Sequence, residues 1–155
     1  MTPEEMKKRV RDFALRSLKL VASFPKGPIG NTVGYQLTKS STSSAANYRA
    51  ACIARSRADF VSKIGLVEEE ADESVFWIDF AADAGLTKRK RIESLLAEGK
   101  EIPAITIATR VAARILITLR RLRAGRPVSR CRGKARWLTL APSLALSPPC
   151  AGGLP

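Results

Sequence analysis

Residues 36–77 read QLTKSSTSSAANYRAACIARSRADFVSKIGLVEEEADESVFW, and this stretch decides the fold. In its second half and just beyond, small and apolar residues recur at alternating steps of four and three, at Phe60, Ile64, Val67, Ala71, Ser74, Ile78 and Ala81. That spacing places about one side chain per turn on a single helix face. Ser56 can cap this helix, and Asp59 stands at its third position, where a carboxylate opposes the helix dipole. We predict a helix that begins after Ser56 and ends at Gly85.

The first half of the stretch belongs to a preceding helix, which we predict to begin after Pro28 and to continue to about Ala54. Its apolar stripe is predicted to comprise Ile29, Val33 and Leu37. Serine and threonine are poor helix formers, so an interruption near residues 40–43 is one interpretation. We prefer the other, in which the small side chains let a neighbouring helix come close. Cys52 lies in the same alanine-rich segment and is predicted to be a small buried residue.

Two further amphipathic segments flank this pair. The first begins at Thr2, where Thr2 and Glu5 match a capping box and Pro3 suits the first helical position. It ends at the Phe24–Pro28 segment, because two prolines around a glycine do not fit a helix interior. Its predicted apolar seam consists of Met6, Val10, Phe13, Ser17, Leu20 and Phe24.

The fourth helix is predicted from about Lys88 to Leu119 or a little beyond, and Pro103 should kink or split it. Its end, residues 102–119, approaches the length of a membrane span, but Arg110 and Arg114 at mid-span are expensive in lipid. We therefore interpret this end as a buried helix face and predict no membrane association. The candidate core residues are Ile92, Leu95, Leu96, Ile102, Ile105, Val111, Ile115 and Leu119.

Four amphipathic segments with short connections predict an all-α fold, an antiparallel up-down four-helix bundle over residues 1–123. The chain has 27 Lys+Arg and 14 Asp+Glu, a net charge of +13. Residues 1–119 contain 19 of the basic residues and all of the acids, which leaves 27 − 19 = 8 basic residues and no acid beyond Leu119. Residues 124–155 are basic and rich in Pro, Gly and Ser, and we predict a disordered tail there.

The composition argues against most enzymatic chemistry. The chain has no histidine, which removes the usual general base and the commonest metal ligand. Glu69, Asp72 and Glu73 allow a carboxylate-only metal site as one interpretation. The preferred one is a charged face that pairs with Arg49, Arg55, Arg57 or a neighbouring subunit. No glycine-rich phosphate loop is present. We predict a non-enzymatic protein without catalytic, cofactor-binding or metal-binding residues, and, since no secretory signal is evident, a cytoplasmic one.

Basic residues are concentrated on the first helix and at the start of the fourth. If they share one side of the bundle, they form a surface that binds nucleic-acid phosphates by counterion release, without base readout. A solvated helix face is the alternative interpretation. The candidate nucleic-acid-binding residues are Lys7, Lys8, Arg11, Lys19, Lys88, Arg89, Lys90 and Arg91, with Arg9 and Arg16 nearby. Aromatic residues at helical spacing favour core or subunit interface over base stacking, and these are Tyr48, Phe76, Trp77 and Phe80.

Three segments together resemble a known family. They are QL-x-K-S-x-x-S-x-x-A-N-Y-x-x-A at 36–51, ARSRADF at 54–60 and K-I-G-L-V-x-E-E-A-D-E-S-x-F-W at 63–77. With FALRSLKLVASFPKG near the start and GLTKRKRIESLLAEG after the third helix, the resemblance covers about residues 4–119. The chain is similar to the four-helix bundle proteins related to the product of the intervening sequence in bacterial 23S ribosomal RNA genes.

This resemblance implies an antiparallel four-helix bundle that forms a ring-shaped homo-oligomer, with pentamers among relatives. One branch resembles the accessory protein of diversity-generating retroelements, which implies RNA or DNA and a reverse transcriptase as possible partners. Asn47 and Glu73 of the signature would then make internal polar contacts, since a buried amide or carboxylate needs a partner. The resemblance assigns structural roles, not catalytic ones, to Asn47, Arg57, Glu69, Glu73 and Trp77.

Overall fold

The computed structural model describes residues 1–123, which form four α-helices and no strand. The helices are α1 (Pro3–Val21), α2 (Pro28–Cys52), α3 (Arg57–Asp83) and α4 (Arg89–Arg123). Each helix packs on the next one in the chain, and α4 packs on α1. The predicted all-α four-helix bundle is confirmed. The prediction of a disordered tail concerns residues 124–155, which lie outside the described residues.

Ion pairs between helices show that neighbours are antiparallel. Arg9 of α1 pairs with Glu101 of α4, and Arg16 pairs with Glu98. The two helices therefore run in opposite directions. The same holds for α3 and α4, because the residues that Arg89 and Arg110 contact on α3 run in the opposite order along the chain. Since α1 and α3 are both antiparallel to α4, they run in the same direction. They occupy diagonal corners of the bundle, because each packs on α2 and α4.

The helix ends follow local sequence signals. Thr2 Oγ1 accepts a hydrogen bond from the backbone N–H of Glu5 at 3.2 Å, while the N–H of Thr2 donates to Glu5 Oε2 at 2.6 Å, which completes the predicted capping box. Ser56 Oγ accepts from the N–H of Asp59 at 3.1 Å, as predicted. Gly85 adopts φ 74°, and the N–H groups of Gly85 and Leu86 donate to the carbonyls of Ala82 and Ala81, so α3 ends in a Schellman motif.

The core lies where the four inward faces meet. All of the predicted seam of α1 is buried or packed against the core, and so is the predicted seam of α3 apart from Phe60, which is half-buried. From the other helices, Val33, Leu37, Ile92, Leu95, Leu96 and Ile102 are buried. Burial of these side chains is the main favourable contribution to folding, at roughly 1.5–3 kcal/mol for each large one.

Small side chains let α2 and α3 approach closely. Ser40, Ser41, Ser44 and Ser74 are all buried, and Ser74 Oγ donates to Ser40 Oγ at 2.9 Å across the interface. The hydroxyls of Ser40 and Ser41 also donate to the carbonyl of Leu37 one turn earlier, which satisfies them without a partner helix. Ser44 Oγ has no hydrogen-bond partner among the described residues. Because α2 is continuous over 25 residues, close packing is confirmed and an interruption near residues 40–43 is excluded.

Two predictions about single positions are wrong, and two others lose one of their alternatives. Ile29 is 62% exposed because it lies in the first turn of α2, at the end of the bundle. Cys52, the last residue of α2, is exposed rather than buried. For Pro103 the prediction was a kink or a split, and the split is excluded, because α4 is continuous from Arg89 to Arg123. For Phe76 and Phe80 the prediction was core or subunit interface, and the core is excluded, since they are 55% and 42% exposed on the outer side of α3. The subunit interface stays a prediction.

The distal half of α4 was also predicted incorrectly. No residue from Ile107 to Arg123 is buried, and three predicted core residues, Val111, Ile115 and Leu119, are about half exposed. The reason is the length of α1. Arg9 pairs with Glu101, and the six α1 residues before Arg9 reach only to about residue 107 of an antiparallel partner. Beyond about residue 107, α4 is no longer covered by α1, one of its two neighbouring helices.

Candidate interaction surfaces

The outer face of α3 carries large apolar residues in a helical stripe. Leu66, Phe76 and Phe80 are 43%, 55% and 42% exposed. They lie on the side of the helix opposite Ile64, Val67, Ala71 and Ile78, because the 3.6-residue period turns these sets to opposite faces. Exposed acids lie among them at Glu69 and Asp72. We call Leu66, Glu69, Asp72, Phe76 and Phe80 the α3 outer stripe.

The aromatic rings at the end of this stripe form an ordered cluster. The ring centroids of Phe76 and Trp77 are 5.0 Å apart in an edge-to-face arrangement. Phe80 stacks on Phe76 at 5.8 Å and meets Trp77 edge to face at 5.8 Å. Trp77 Nε1 donates to Glu73 Oε1 at 3.0 Å, which fixes the indole against the core cluster. The phenylalanines thus present a preformed apolar surface, which lowers the entropy lost on binding.

The other signature residues have local roles in the structure. Asn47 is half-buried, and its Nδ2 donates to Ser43 Oγ at 3.3 Å, one turn earlier on α2. Glu73 is half-buried beneath Trp77. Arg57 is the first residue of α3 and is exposed. Both polar contacts thus join residues of the same helix.

Several candidate nucleic-acid-binding residues are occupied by ion pairs. Lys7 Nζ pairs with Glu4 at 2.9 Å, and this contact raises the pKa of Lys7. Arg89 donates to Asp79 at 2.5 Å and to Asp83 at 2.6 Å, which likewise raises the pKa of its guanidinium. Salt bridges to α4 also engage Arg9 and Arg16. These side chains are less available to phosphates than a count of basic residues suggests.

The remaining candidates are exposed and make no ion pair within residues 1–123. They are Lys8, Arg11, Lys19, Lys88, Lys90 and Arg91. Lys19 and Arg91 line one groove between α1 and α4, and Lys88, Lys90 and Arg91 line an adjacent depression at the same end. Lys8 and Arg11 belong to the opposite half of α1. The structure therefore brings four of these residues together and separates the other two.

The acidic cluster of α3 pairs with α4. Arg110 donates from Nε to Glu68 Oε1 at 2.8 Å and pairs through Nη2 with Oε2 at 2.7 Å. This bidentate contact raises the pKa of Arg110, with smaller support from Glu69. In the described part of the chain, no ion pair joins the cluster to Arg49, Arg55 or Arg57, so the predicted intramolecular partners are wrong. Pairing with a neighbouring subunit stays a prediction.

The described residues offer little for catalysis or metal binding. Over residues 1–123, no group of three or more potential metal ligands lies together. An open cavity of about 580 Å³ lies at the end of the bundle between the starts of α1 and α3, with Tyr48 and Cys52 in its wall. Burial raises the pKa of Tyr48 to about 12, so its hydroxyl stays protonated at neutral pH. The lining of this cavity is mostly apolar, and we assign no reaction and no ligand to the cavity.

The distal half of α4 is apolar on its surface. An 18-residue window within α4 has a mean hydropathy of 1.6, which meets the length and composition of a membrane span, and only 11% of that window is buried. The interpretation as a buried helix face is therefore wrong for the isolated chain, while the absence of membrane association stays a prediction. Arg114, Arg120, Arg121 and Arg123 share this segment and are exposed.

The comparisons with known proteins agree with this architecture. The model of the 23S rRNA-intervening sequence protein family matches residues 4–108. A search of curated proteins finds no match. The chain is similar to a crystal structure of a protein of unknown function from the S23 ribosomal protein family of Bacteroides thetaiotaomicron VPI-5482. The two share 28% sequence identity and a TM-score of 0.63, over 71% of this chain and 98% of that one.

The matched region contains α1, α2, α3 and the packed half of α4. It includes the α3 outer stripe and ends at residue 108, where α4 leaves the bundle core. The match therefore covers the segments that carried the resemblance in the sequence as well as the fold. The chain belongs to the 23S rRNA-intervening sequence protein family.

Proposed function

We propose that this chain is a non-enzymatic, self-associating four-helix bundle with a structural or adaptor role in the cytoplasm. The observation that carries the proposal is the exposed aromatic surface of the α3 outer stripe. Phe76 and Phe80 are stacked on each other and about half exposed. Contiguous exposed apolar residues on a folded protein mark an interaction site.

The energetics favour burial of this surface. Covering apolar area stabilises a complex by roughly 25 cal/mol per Å². A phenylalanine offers about 150–250 Å² in total, of which about half is still exposed at Phe76 and Phe80. The rings are already held by Trp77, so little side-chain entropy is lost when a partner covers them. A second copy of the chain is a partner that is always present at the same concentration.

Light scattering on the purified full chain tests the proposal. We expect a mass several times 16.8 kDa, and a shift towards the monomer mass when Phe76→Ser and Phe80→Ser are combined. Tyr35→Ser is the matched control, since Tyr35 is 68% exposed on α2 and lies outside the stripe. A wild-type monomer at all accessible concentrations contradicts the proposal, and equal dissociation of the control removes the role of the stripe.

A second candidate function is that of a nucleic-acid-binding accessory protein that partners RNA, DNA or a reverse transcriptase. The specific observation in its favour is the basic end of the bundle, where Lys19, Lys88, Lys90 and Arg91 line adjoining depressions. Lysine and arginine side chains on an open surface bind phosphates irrespective of the bases, so we expect little sequence preference.

Binding of a labelled single-stranded RNA across a salt series tests this function. For the Lys88→Gln, Lys90→Gln, Arg91→Gln variant, we expect weaker binding and a slope of log K against log salt that is shallower by about 2, since each lost phosphate contact on single strands contributes about 0.7. Lys39→Gln, an exposed lysine on α2, is the control. An unchanged slope in the triple variant would exclude the bundle end as the binding surface.

A further inference from the structure

We propose that the copies join head to tail, with the outer face of α1 in one copy docked on the α3 outer stripe of the next. The proposal rests on the proposed self-association and adds which surfaces meet and in what order. It commits to a second copy of this chain as the partner of both faces. The following observations on charge, position and direction carry it.

The outer face of α1 has its own stripe. Lys8, Arg11, Leu15 and Lys19 recur at steps of three and four on the side opposite Met6, Val10 and Phe13. All four are exposed, and Leu15 is 45% exposed at the centre. The three basic residues make no ion pair within residues 1–123. We call these four residues the α1 outer stripe.

The two stripes are complementary in charge. The α3 outer stripe carries Glu69 and Asp72, which are exposed and also make no ion pair in the described part of the chain. Opposite charges across an interface steer association and select one register. Each stripe also contains exposed apolar residues, Leu15 on one side and Leu66, Phe76 and Phe80 on the other.

The order of residues agrees with one arrangement. Along α1 the charges Lys8 and Arg11 precede Leu15, and along α3 the charges Glu69 and Asp72 precede Phe76 and Phe80. Since α1 and α3 run in the same direction in the bundle, two copies with parallel bundle axes bring the charges together and set Leu15 against the phenylalanines. An inverted copy would place Lys8 and Arg11 against the aromatic rings and leave Lys19 as the one basic residue of the stripe at the level of the acids.

The position of the stripes requires a head-to-tail contact. Helices α1 and α3 occupy diagonal corners, and each packs on α2 and α4, so their outer faces point away from each other. A contact between two different faces is heterologous, and it leaves one free face of each kind at the ends of every incomplete assembly. Such contacts close into a ring if the rotation between copies permits, and otherwise continue as a filament.

Charge reversal on the full chain tests the pairing. One variant carries Glu69→Lys and Asp72→Lys, and the other carries Lys8→Glu and Arg11→Glu. In each variant both stripes have the same sign, so we expect self-association to weaken by at least about tenfold, or roughly 1.4 kcal/mol. An equimolar mixture has complementary stripes again, and we expect its mass by light scattering to return to an assembly of alternating copies.

The controls separate folding from assembly. Glu93→Lys reverses an exposed charge on α4 outside both stripes and should leave the mass unchanged. Circular dichroism establishes that each variant remains helical. If a reversed variant fails to fold, the milder Glu69→Gln with Asp72→Asn replaces it, and weakened association is then expected without repulsion.

Each remaining outcome is informative. Wild-type assembly that both reversed variants retain would overturn the α1–α3 pairing and leave the proposed self-association intact. Dissociated variants that do not reassemble on mixing would also overturn it, because the two faces would then belong to different contacts. A monomeric wild type would overturn the proposed function itself.

Discussion

Helix α3 carries apolar residues at helical spacing on two opposite faces, and only one of these faces is buried. One face is fully inaccessible to solvent at Ile64, Val67, Ala71 and Ile78. The other exposes Leu66, Phe76 and Phe80 at 42–55% of their surface. A surface helix of a monomeric protein has one apolar stripe and a polar opposite side. Helix α3 departs from this pattern, because folding buries one apolar face and leaves a second one exposed, which is the basis of the proposed self-association.

The two faces of α3 also differ in whether their acidic side chains have an ion-pair partner. On the inner side of α3 the buried acid, Glu68, has a partner in Arg110. On the outer side Glu69 and Asp72 have none among the described residues. A buried charge needs a partner within the fold because it is removed from water, whereas an exposed charge is solvated and needs none. Folding thus pairs the acid of the inner face, and the proposed self-association would pair the acids of the outer face.

The largest expected effect comes from placing a charge on the inner face. Ile64→Asp buries an unpaired carboxylate and should lower the free energy of unfolding by at least about 4 kcal/mol, enough to unfold a marginally stable bundle. Leu66→Asp is the matched change two residues away on the outer face, where the carboxylate stays in water. Urea unfolding followed by circular dichroism compares them, and similar losses would mean that the two faces are not distinct.

A smaller effect is expected from paired glycine substitutions. An alanine Cβ at Gly99 would lie 2.9 Å from Val75 Cγ2 and 3.1 Å from Phe13 Cε2, so the core must shift, at a cost of roughly 1–3 kcal/mol. At Gly65 on α3, a Cβ meets nothing within 4 Å. Gly65→Ala should therefore stabilise the helix by about 0.5–1 kcal/mol. Opposite signs in thermal unfolding sharpen the contrast between packed and open faces.

Substitution in the capping box tests a contribution to stability that depends on neither face of α3. Thr2→Ala removes the hydroxyl that accepts from the N–H of Glu5, and we expect a loss of about 1 kcal/mol. Thr32→Ala is the control, since its hydroxyl donates only to the carbonyl of Pro28 within α2 and caps no helix end. Chemical denaturation measures both, and an equal loss in the control would show that the cap has no special role.

The smallest expected effect is a pH dependence at the same cap. The hydrogen bond from the backbone of Thr2 lowers the pKa of Glu5 below 4.5. A carboxyl whose pKa is lower in the folded than in the unfolded state adds stability above pH 4.5, and this stability is lost as the pH falls through the folded pKa. Relative to Glu5→Gln, wild type should be more stable at pH 7, and the difference should shrink below pH 4.5. A constant difference in unfolding midpoint would contradict this assignment.

Local signals in the sequence were sufficient to predict the helices and their ends. The Thr2 and Ser56 caps and the Gly85 stop are confirmed because each depends on residues at most five apart in the chain. The inner seams of α1 and α3 are confirmed for a related reason, since the helical period fixes which side chains share a face. The family resemblance is confirmed as well, because it is a property of the sequence.

The candidate surfaces were predicted less well. The basic residues were identified, but their separation into two groups and the ion pairs of Arg89 with α3 depend on which helices lie side by side. The pair of Lys7 with Glu4 is local to α1, since the two residues are three apart in the chain. The α1 outer stripe was missed, although a signal was present in the spacing of Lys8, Arg11 and Leu15 opposite the apolar seam. A single exposed leucine among basic residues is too common on helices to stand out without the second stripe beside it.

The sequence by itself determined that residues 1–123 make four helices, where those helices begin and end, and which faces of α1 and α3 turn inwards. Only the tertiary structure decided that α4 extends beyond the end of its neighbour α1, which leaves Val111 and Ile115 exposed. The exposure of Phe76 and Phe80 was also decided at this level. Helical periodicity fixes the relative direction of side chains within one helix. It carries no information on how far the neighbouring helices extend, and burial depends on that length.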